Sequence, residues 1–166
     1  MNEGIIQIYY GEGHGKSTAA IGNAIRCASE GKSVIIIQFL KGKNENELAF
    51  LNRLEPEIKS FRFAKSDESF EELSEQEQQE EAMNLRNGFN YGKKVVTTAA
   101  CDMLILDEVL GVIDEKVVTP QEMQELFENK PDDMTLICTG RVLEDSIRPY
   151  ADEIYNIAPE KIRIDE

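Results

Sequence analysis

Near its beginning, the sequence reads Ile5-Ile6-Gln7-Ile8-Tyr9-Tyr10-Gly11-Glu12-Gly13-His14-Gly15-Lys16-Ser17-Thr18. The first part of this stretch is nearly all apolar or aromatic, which is typical of a buried β-strand. Three alternating glycines follow, and from Ser17 onward the apolar residues recur with helical spacing. A strand, a glycine-rich turn and a helix in this order predict a phosphate-binding loop, because backbone N–H groups and the helix N-terminus converge on an anion.

The loop departs from the usual consensus of a glycine, four variable residues and Gly-Lys-Ser/Thr. That pattern puts its first glycine at position 10, where this chain has Tyr10, and the glycine comes one residue later, at Gly11. Lys16 is predicted to reach the outer phosphates and Ser17 to offer its hydroxyl to Mg²⁺. A chance Gly-Lys-Ser in an ordinary turn is the alternative, which the strand-loop-helix order disfavours. The predicted nucleotide-binding residues are Gly11, Glu12, Gly13, His14, Gly15, Lys16, Ser17 and Thr18.

The loop also holds the only histidine of the chain, His14. Three roles are open to this side chain: an ordinary loop residue, a phosphate contact or a general base. Without a second ligand nearby, it is not interpreted as part of a metal site.

Short apolar runs recur along the chain between longer helical patterns. The strand candidates are Ile5–Tyr10, Val34–Leu40, Met103–Leu106 and Met134–Cys138, with weaker ones at Ser60–Phe63 and Glu153–Asn156. The strong runs are nearly continuous, as expected for parallel strands covered by helices on both faces. Helices are predicted at Ser17–Ser29, Glu45–Leu54, Glu71–Ala100, Pro120–Glu128 and Val142–Tyr150. We therefore predict a single α/β domain over residues 1–166, with a mostly parallel sheet of about six strands.

Acidic residues are concentrated between the third strand and the long helix. Residues 66–81 include eight acids and no lysine or arginine. Ser74 and Glu77 have the spacing of a capping box, so some of these acids are expected in the first turn of the helix, where the macrodipole favours them. A solvated helix start is the favoured interpretation, and an acidic lid or a surface facing a partner is the alternative.

Two further motifs follow predicted strands. Asp107 and Glu108 end the apolar run Leu104–Leu106, and an acid at such a strand end holds Mg²⁺ in phosphate-loop proteins. Arg141 ends Thr139-Gly140-Arg141, just after the fifth strand. Because ligands lie beyond the carboxyl ends of parallel strands, all three side chains are expected at the edge that carries the phosphate loop. A surface acid pair and a solvated arginine are the alternatives.

Composition limits the partners. Eighteen lysines and arginines against 32 acids give a net charge of −14, and this argues against a nucleic-acid partner. No run is long and apolar enough for a membrane span, and no basic leader is present, so we expect a cytoplasmic protein without a membrane partner. The three cysteines are expected to be reduced and mostly buried.

Taken together, these stretches resemble the ATP:corrinoid adenosyltransferases of the phosphate-loop type. The resemblance rests on Gly4 to Ala20 with its late first glycine, and on Gln38-Phe39-Leu40-Lys41-Gly42 after the second strand. Weaker matches are Leu106-Asp107-Glu108, Thr139-Gly140-Arg141 and Ala151-Asp152. The resemblance implies a RecA-like fold, commonly a homodimer, and transfer of the 5′-deoxyadenosyl group of ATP to a reduced corrinoid with release of triphosphate.

The resemblance also implies roles for particular residues. The nucleophile is Co(I) of the corrinoid, so the protein needs no nucleophile of its own. Lys16, Asp107 and Glu108 are then the catalytic candidates, and Ser17, Asp107 and Glu108 the Mg²⁺ ligands, with Arg141 near the phosphates. Mg²⁺ accompanies ATP, and an electron-donating flavoprotein is an expected partner.

In the family, aromatic residues crowd the lower face of the corrinoid. This chain has no tryptophan, and Phe63 and Phe70 are its nearest candidates for that contact, although each also fits core packing. Two other functions stay open from sequence alone: a different phosphate-loop ATPase or phosphotransferase, and a nucleotide- or corrinoid-binding protein without catalysis.

Overall fold

The computed structural model describes residues 3–40 and 45–164. Its strands are β1 (Ile6–Tyr10), β2 (Val34–Gln38), β3 (Ile58–Arg62), β4 (Met103–Asp107), β5 (Thr135–Gly140) and β6 (Glu153–Asn156). Its helices are α1 (Lys16–Ser29), α2 (Glu45–Asn52), α3 (Glu75–Thr97), α4 (Val109–Asp114) and α5 (Pro120–Glu128). Two short 3₁₀ helices cover Phe70–Glu72 and Asp145–Tyr150. The six predicted strands are confirmed.

The strands form one sheet in the order β3-β2-β4-β5-β1-β6, and every neighbouring pair is parallel. In this order β5 runs between the strand that leads into the phosphate loop and the strand that ends at Asp107. Because all strands point the same way, their carboxyl ends meet at one edge. The predicted fold class is confirmed. The order of the strands in the sheet was not predicted from the sequence.

Apolar side chains cover both faces of the sheet, as the continuous strands predicted. On one face, Leu104, Leu106 and their neighbours pack against the buried side of α3, which includes Leu85 and Phe89. On the other face, Ile105 and its neighbours pack against the small residues of α1. The result is a three-layer α/β sandwich whose central sheet is dry on both sides.

Two predicted helices need correction, and one helix was not predicted. The helix expected at Glu71–Ala100 is interrupted, because Leu73 and Ser74 are extended and α3 begins only after Ser74. The capping box is confirmed: Ser74 Oγ accepts from the Glu77 N–H, and the Glu77 carboxylate accepts from the Ser74 N–H. The segment Val142–Tyr150 forms only the 3₁₀ helix Asp145–Tyr150, in which Pro149 lacks the N–H that an α-helix would use. Helix α4 was not predicted, because its six residues are too few to show a period.

The acidic segment also differs from expectation at one residue. Glu81 is 6% exposed, and its carboxylate accepts hydrogen bonds from the backbone N–H groups of Lys65 and Ser66 at 2.8 and 2.6 Å. It therefore fastens the loop after β3 to α3, whereas Glu75 and Glu77 lie in the first turn of α3 as expected. A solvated helix start describes only part of this segment.

An ion pair joins α3 to α5 and gives a pH-dependent test of the packing. The Arg86 guanidinium donates both to the Glu122 carboxylate and to the Val117 carbonyl. The hydrogen bond from Arg86 lowers the pKa of Glu122 to about 2, from the usual 4.5. The pair therefore stabilises the fold above about pH 4.5, and this contribution is lost as the pH falls toward 2.

We expect Glu122→Gln to lower the free energy of unfolding by about 1 kcal/mol at pH 7, since solvent screens a pair whose arginine is 41% exposed. Glutamine can still close the capping box with Thr119, so mainly the ionic part is removed. Urea unfolding between about pH 7 and 3 measures the difference, which should narrow below pH 4.5. Glu125→Gln, on the same helix and exposed, is the control; an equal loss in that variant would contradict the assignment to the pair.

Candidate nucleotide-binding and active site

The phosphate loop lies between the end of β1 and the start of α1, as predicted. Gly11 and Gly15 have φ angles of 126° and 105°, which L-residues with side chains rarely adopt. A Cβ at Gly11 would also lie 2.4 Å from the Ile157 carbonyl oxygen. The late first glycine follows from β1 itself, because Tyr10 is still a strand residue, paired with Gly140 and Asn156.

The segment after β6 is hydrogen-bonded to the phosphate loop through Ile157. The Ile157 N–H donates to the Tyr10 carbonyl at 2.7 Å, and the Ile157 carbonyl accepts from the Gly13 N–H at 2.8 Å. One residue thus joins both sides of the turn that begins the loop. Sequence reasoning missed this contact, which becomes visible only once β6 is paired with β1.

Lys16 is almost buried, with 9% of its surface exposed. Its Nζ donates to the Gly13 carbonyl at 2.8 Å, so the ammonium is held within its own loop. Thr18 and His14 are exposed at the same end of α1. The loop residues predicted to bind a nucleotide are therefore close together, and their polar groups lie at the carboxyl edge of the sheet.

Ser17 and Asp107 are in direct contact at this edge, although 90 residues separate them in sequence. Ser17 Oγ donates to Asp107 Oδ1 at 2.8 Å, and Thr139 Oγ1 donates to the same oxygen at 2.7 Å. Asp107 is 2% exposed, so burial takes away most of its hydrogen bonds to water. The two hydroxyl donors replace those hydrogen bonds. Two of the three predicted Mg²⁺ ligands, Ser17 and Asp107, are brought together here.

The residues of this edge fit Mg²⁺. This ion is usually held by one or two carboxylates together with phosphate oxygens and water, rather than by a full protein cage. Ser17 and Asp107 supply a hydroxyl and a carboxylate of that kind beside the phosphate loop. Within residues 3–40 and 45–164, no group of three or more His, Cys, Asp or Glu side chains could hold a metal ion by itself.

Glu108, the third predicted Mg²⁺ ligand, directly follows Asp107 at the end of β4. It has a φ of 66°, in the left-handed region, and it is the N-cap of α4. Its side chain lines a neighbouring cleft of about 490 Å³, and its N–H donates to Thr139 Oγ1 at 2.8 Å. Glu108 therefore lines the cleft beside the nucleotide edge, and Asp107 is buried in contact with Ser17.

Arg141 lies over the phosphate loop and pairs with a loop residue. Its guanidinium contacts the Glu12 carboxylate at 3.1 Å, and both side chains are well exposed, at 70% and 64%. The expectation that Arg141 shares an edge with the loop is confirmed by this contact. Its charge is directed at Glu12.

Phe63 and Phe70 have different surroundings. Phe63 packs on α3, with its ring centroid 5.8 Å from that of Tyr91 and its side chain against Gly88. Phe70 is half-buried and lines the cleft, together with Leu40, Glu108 and Arg141. Of the two aromatic candidates, Phe70 therefore shares a cavity with residues of the nucleotide edge.

Comparisons with known proteins identify the family of this chain. A family model described as "ATP:corrinoid adenosyltransferase BtuR/CobO/CobP" matches residues 2–166. The chain belongs to this family. It is 29% identical to the corrinoid adenosyltransferase of Escherichia coli and 30% identical to corrinoid adenosyltransferase CobA of Salmonella typhimurium, each over 98% of this chain and 80% of the relative.

Solved structures show the fold alone, at lower identity. The flagellar accessory protein FlaH from Methanocaldococcus jannaschii is 17% identical with a TM-score of 0.62, over 94% of this chain and 72% of that one. A KaiC-like protein from Pyrococcus horikoshii OT3 is 16% identical with a TM-score of 0.64, over 99% and 76% of the two chains. The RecA-like phosphate-loop fold implied by the resemblance is thereby confirmed.

The adenosyltransferase motifs fall in two places in the fold. Gln38 is buried at the end of β2, opposite Asp107, whereas Lys41 and Gly42 lie outside the described residues. Asp152 lies at the opposite edge of the sheet, where its carboxylate accepts from the Ile6 N–H at 2.8 Å. Asp152 therefore holds β6 against β1 and does not reach the nucleotide edge.

The cysteines of this adenosyltransferase are free and buried, as expected. Burial raises the pKa of the Cys101 thiol to about 12, and it also raises the pKa of Cys138. Thiols of this kind are protonated at neutral pH and are poor nucleophiles.

Across residues 3–40 and 45–164, no helix has the length and apolarity to cross a membrane.

The ion pair between Glu12 and Arg141 leads to two predictions of opposite sign. Glu12→Gln removes a negative charge beside the loop, and we expect the Kd of Mg-ATP to fall about two- to fivefold at low salt. Arg141→Gln is expected to raise this Kd. Calorimetric titration at low and high salt measures both effects, which should fade as salt screens the charges.

Glu30→Gln, beyond the far end of α1, is the matched control for the loss of one acid. A control effect as large as that of Glu12→Gln would mean that net charge, rather than the local position of Glu12, sets the affinity. Equal signs for the Glu12 and Arg141 variants would contradict the proposed electrostatics.

Proposed function

We propose that the protein binds Mg-ATP at the phosphate loop and transfers its 5′-deoxyadenosyl group to the Co(I) of a corrinoid held in the adjoining cleft. The family gives the reaction class, ATP:corrinoid adenosyl transfer. The observation that carries the residue assignment is the contact between Ser17 and Asp107 beside the loop, at one edge of a parallel sheet. Nucleotide and corrinoid thus meet within one domain.

The reaction forms a cobalt–carbon bond and breaks the bond between C5′ and its oxygen. The electron pair comes from Co(I), and triphosphate leaves with the electrons of the broken bond. No serine, cysteine or histidine nucleophile of the protein is required. What the protein must supply is orientation of C5′ toward the cleft and stabilisation of the negative charge that develops on the leaving triphosphate.

Lys16 and the loop amides provide that stabilisation in this proposal. The Lys16 ammonium donates to the Gly13 carbonyl. A triphosphate is a stronger acceptor than a backbone carbonyl, so we expect Lys16 to exchange this bond for a charge-assisted one. Ser17 and Asp107 would hold Mg²⁺, which supplies charge neutralisation at the phosphate oxygens when bound.

The cleft is the proposed site of the corrinoid. It opens beside Glu108 and Arg141, has Phe70, Leu40 and Val142 in its walls, and so combines apolar surface with the nucleotide edge. Phe70 is placed to press its ring against a face of the macrocycle, as the family's aromatic residues do. Phe63, packed on α3, would support this wall from within the fold.

Four further properties follow from the resemblance and belong to the proposal. The protein acts in the cytoplasm, forms a homodimer, uses Mg²⁺ as its metal, and receives its Co(I) substrate with the help of an electron-donating flavoprotein. The acidic side chains of the loop before α3, which include Asp67, Glu68 and Glu71, surround the cleft and offer a surface for such a partner.

The products separate this function from the alternatives. Protein, Mg-ATP and chemically reduced Co(I) corrinoid are mixed, and the visible spectrum and the phosphate products are followed. Adenosyl transfer yields an adenosylcorrinoid and triphosphate, hydrolysis yields ADP and phosphate, and simple binding leaves ATP intact. Normal ATP binding without an adenosylcorrinoid would overturn the proposed function.

Lys16→Ala tests the role of the phosphate loop. We expect adenosylation at saturating ATP to fall at least a hundredfold, because the transition state loses a charge-assisted contact to the leaving triphosphate. Lys93→Ala, an exposed lysine on α3, is the control and should keep wild-type turnover. Turnover at the wild-type rate in Lys16→Ala would show that the loop has another role.

Phe70→Ala and Phe63→Ala test the two aromatic positions against each other. We expect Phe70→Ala to raise the KM for the corrinoid about tenfold while the Kd for ATP and the unfolding midpoint stay close to wild type. Phe63→Ala is expected to lower stability by about 2–3 kcal/mol, because it removes packing against Tyr91 and α3. Steady-state kinetics and urea unfolding of both variants distinguish the roles; the reverse pattern would exchange the assignments.

A further inference from the structure

Thr139 occupies the strand between the two halves of the nucleotide site. It lies on β5, is fully buried, and pairs in register with Tyr9 of β1, two residues before the loop begins. On its other side, β5 runs along β4, which ends at Asp107. The strand order therefore puts one threonine between the phosphate loop and the acid that faces it.

The hydroxyl of Thr139 makes two hydrogen bonds whose directions are determined by their partners. The Glu108 N–H can only donate, so Thr139 Oγ1 accepts from it, at 2.8 Å. The single proton of the hydroxyl is then left for Asp107 Oδ1, at 2.7 Å. Ser17 Oγ donates to the same Asp107 oxygen at 2.8 Å. A continuous chain of donors thus runs from the backbone of Glu108 to the Asp107 carboxylate.

We infer that Thr139 is a positioning residue for the metal-binding carboxylate. Through its hydroxyl it orients Asp107 toward Ser17 and holds the left-handed turn at Glu108. The inference rests on the proposed function, in which Asp107 holds Mg²⁺. Groups that orient a ligand in this way typically change metal affinity 10- to 100-fold when they are removed.

The geometry explains why a threonine suits this position. Its β-branched side chain is favoured in a strand, and its methyl group adds apolar volume to a fully buried site. Valine has nearly the same shape but no hydroxyl, so it leaves the Glu108 N–H without its acceptor and Asp107 without one donor. Serine keeps the hydroxyl and loses only the methyl group. Comparing the valine and serine variants therefore separates the effect of the hydrogen bonds from the effect of packing.

The experiment compares Thr139→Val, Thr139→Ser and Thr135→Val. Thr135 is the first residue of β5, at the amino end of the strand and away from the nucleotide site. Its valine variant therefore controls for loss of a threonine hydroxyl from β5. Calorimetric titration measures the Kd of ATP with Mg²⁺ and with EDTA, and thermal unfolding measures stability. The Mg²⁺ concentration that gives half-maximal adenosylation at saturating ATP is measured in parallel.

We expect Thr139→Val to raise the half-maximal Mg²⁺ concentration at least tenfold and to weaken binding of Mg-ATP, while metal-free ATP binding changes less than twofold. Thr139→Ser should restore the Mg²⁺ dependence even if it unfolds at a lower temperature. Thr139→Ala is assessed by the same measurements if the valine variant does not fold.

Three results would overturn the inference: an unchanged Mg²⁺ dependence in Thr139→Val and Thr139→Ala, an equal defect in Thr139→Ser, or an equal defect in Thr135→Val. The calorimetric titrations need no corrinoid, so they test the role of Thr139 even if the wild type forms no adenosylcorrinoid. That last result would instead overturn the proposed function.

Discussion

Strands as continuously apolar as β2 and β4 lose their contact with water only when helices cover both faces of the sheet, and this constraint organises the rest of the molecule. Covering both faces requires crossover helices, crossovers make neighbouring strands parallel, and parallel strands bring their carboxyl ends to one edge. The phosphate loop, Asp107 and Arg141 all follow such ends. Their meeting is therefore a consequence of burial rather than of any direct attraction between them.

The edge that results contains the carboxylate of Asp107, which is almost completely shielded from solvent. An isolated charge in such a place would be strongly unfavourable, and the structure supplies hydroxyl donors from two other strands or helices instead. Both donors leave the carboxylate negative and able to attract a cation. The Asp107 environment is thus compatible both with a stable fold and with recruitment of a metal that arrives with the nucleotide.

The sequence predicted local features well because local chemistry determines them. The glycine-rich turn, the strand residues of β1 and β6, and the capping box at Ser74 all depend on neighbours within a few residues. The strand order, the buried role of Glu81 and the support from Ile157 depend on partners 15 to 147 residues away, for which a single sequence carries no period or motif. For the same reason Thr139 was visible as part of a motif, but its partners were not.

The contact between Ile157 and the loop also bears on how the chain acquires its active site during synthesis. Strand β1 precedes β2, β3 and β4 in the chain, yet both of its neighbours, β5 and β6, follow them. A nascent chain that has emerged only through α5 therefore contains every residue of the phosphate loop without the backing that shapes it. Nucleotide affinity should arise late and abruptly in translation, after Ile157 has left the ribosomal tunnel, rather than growing in proportion to chain length.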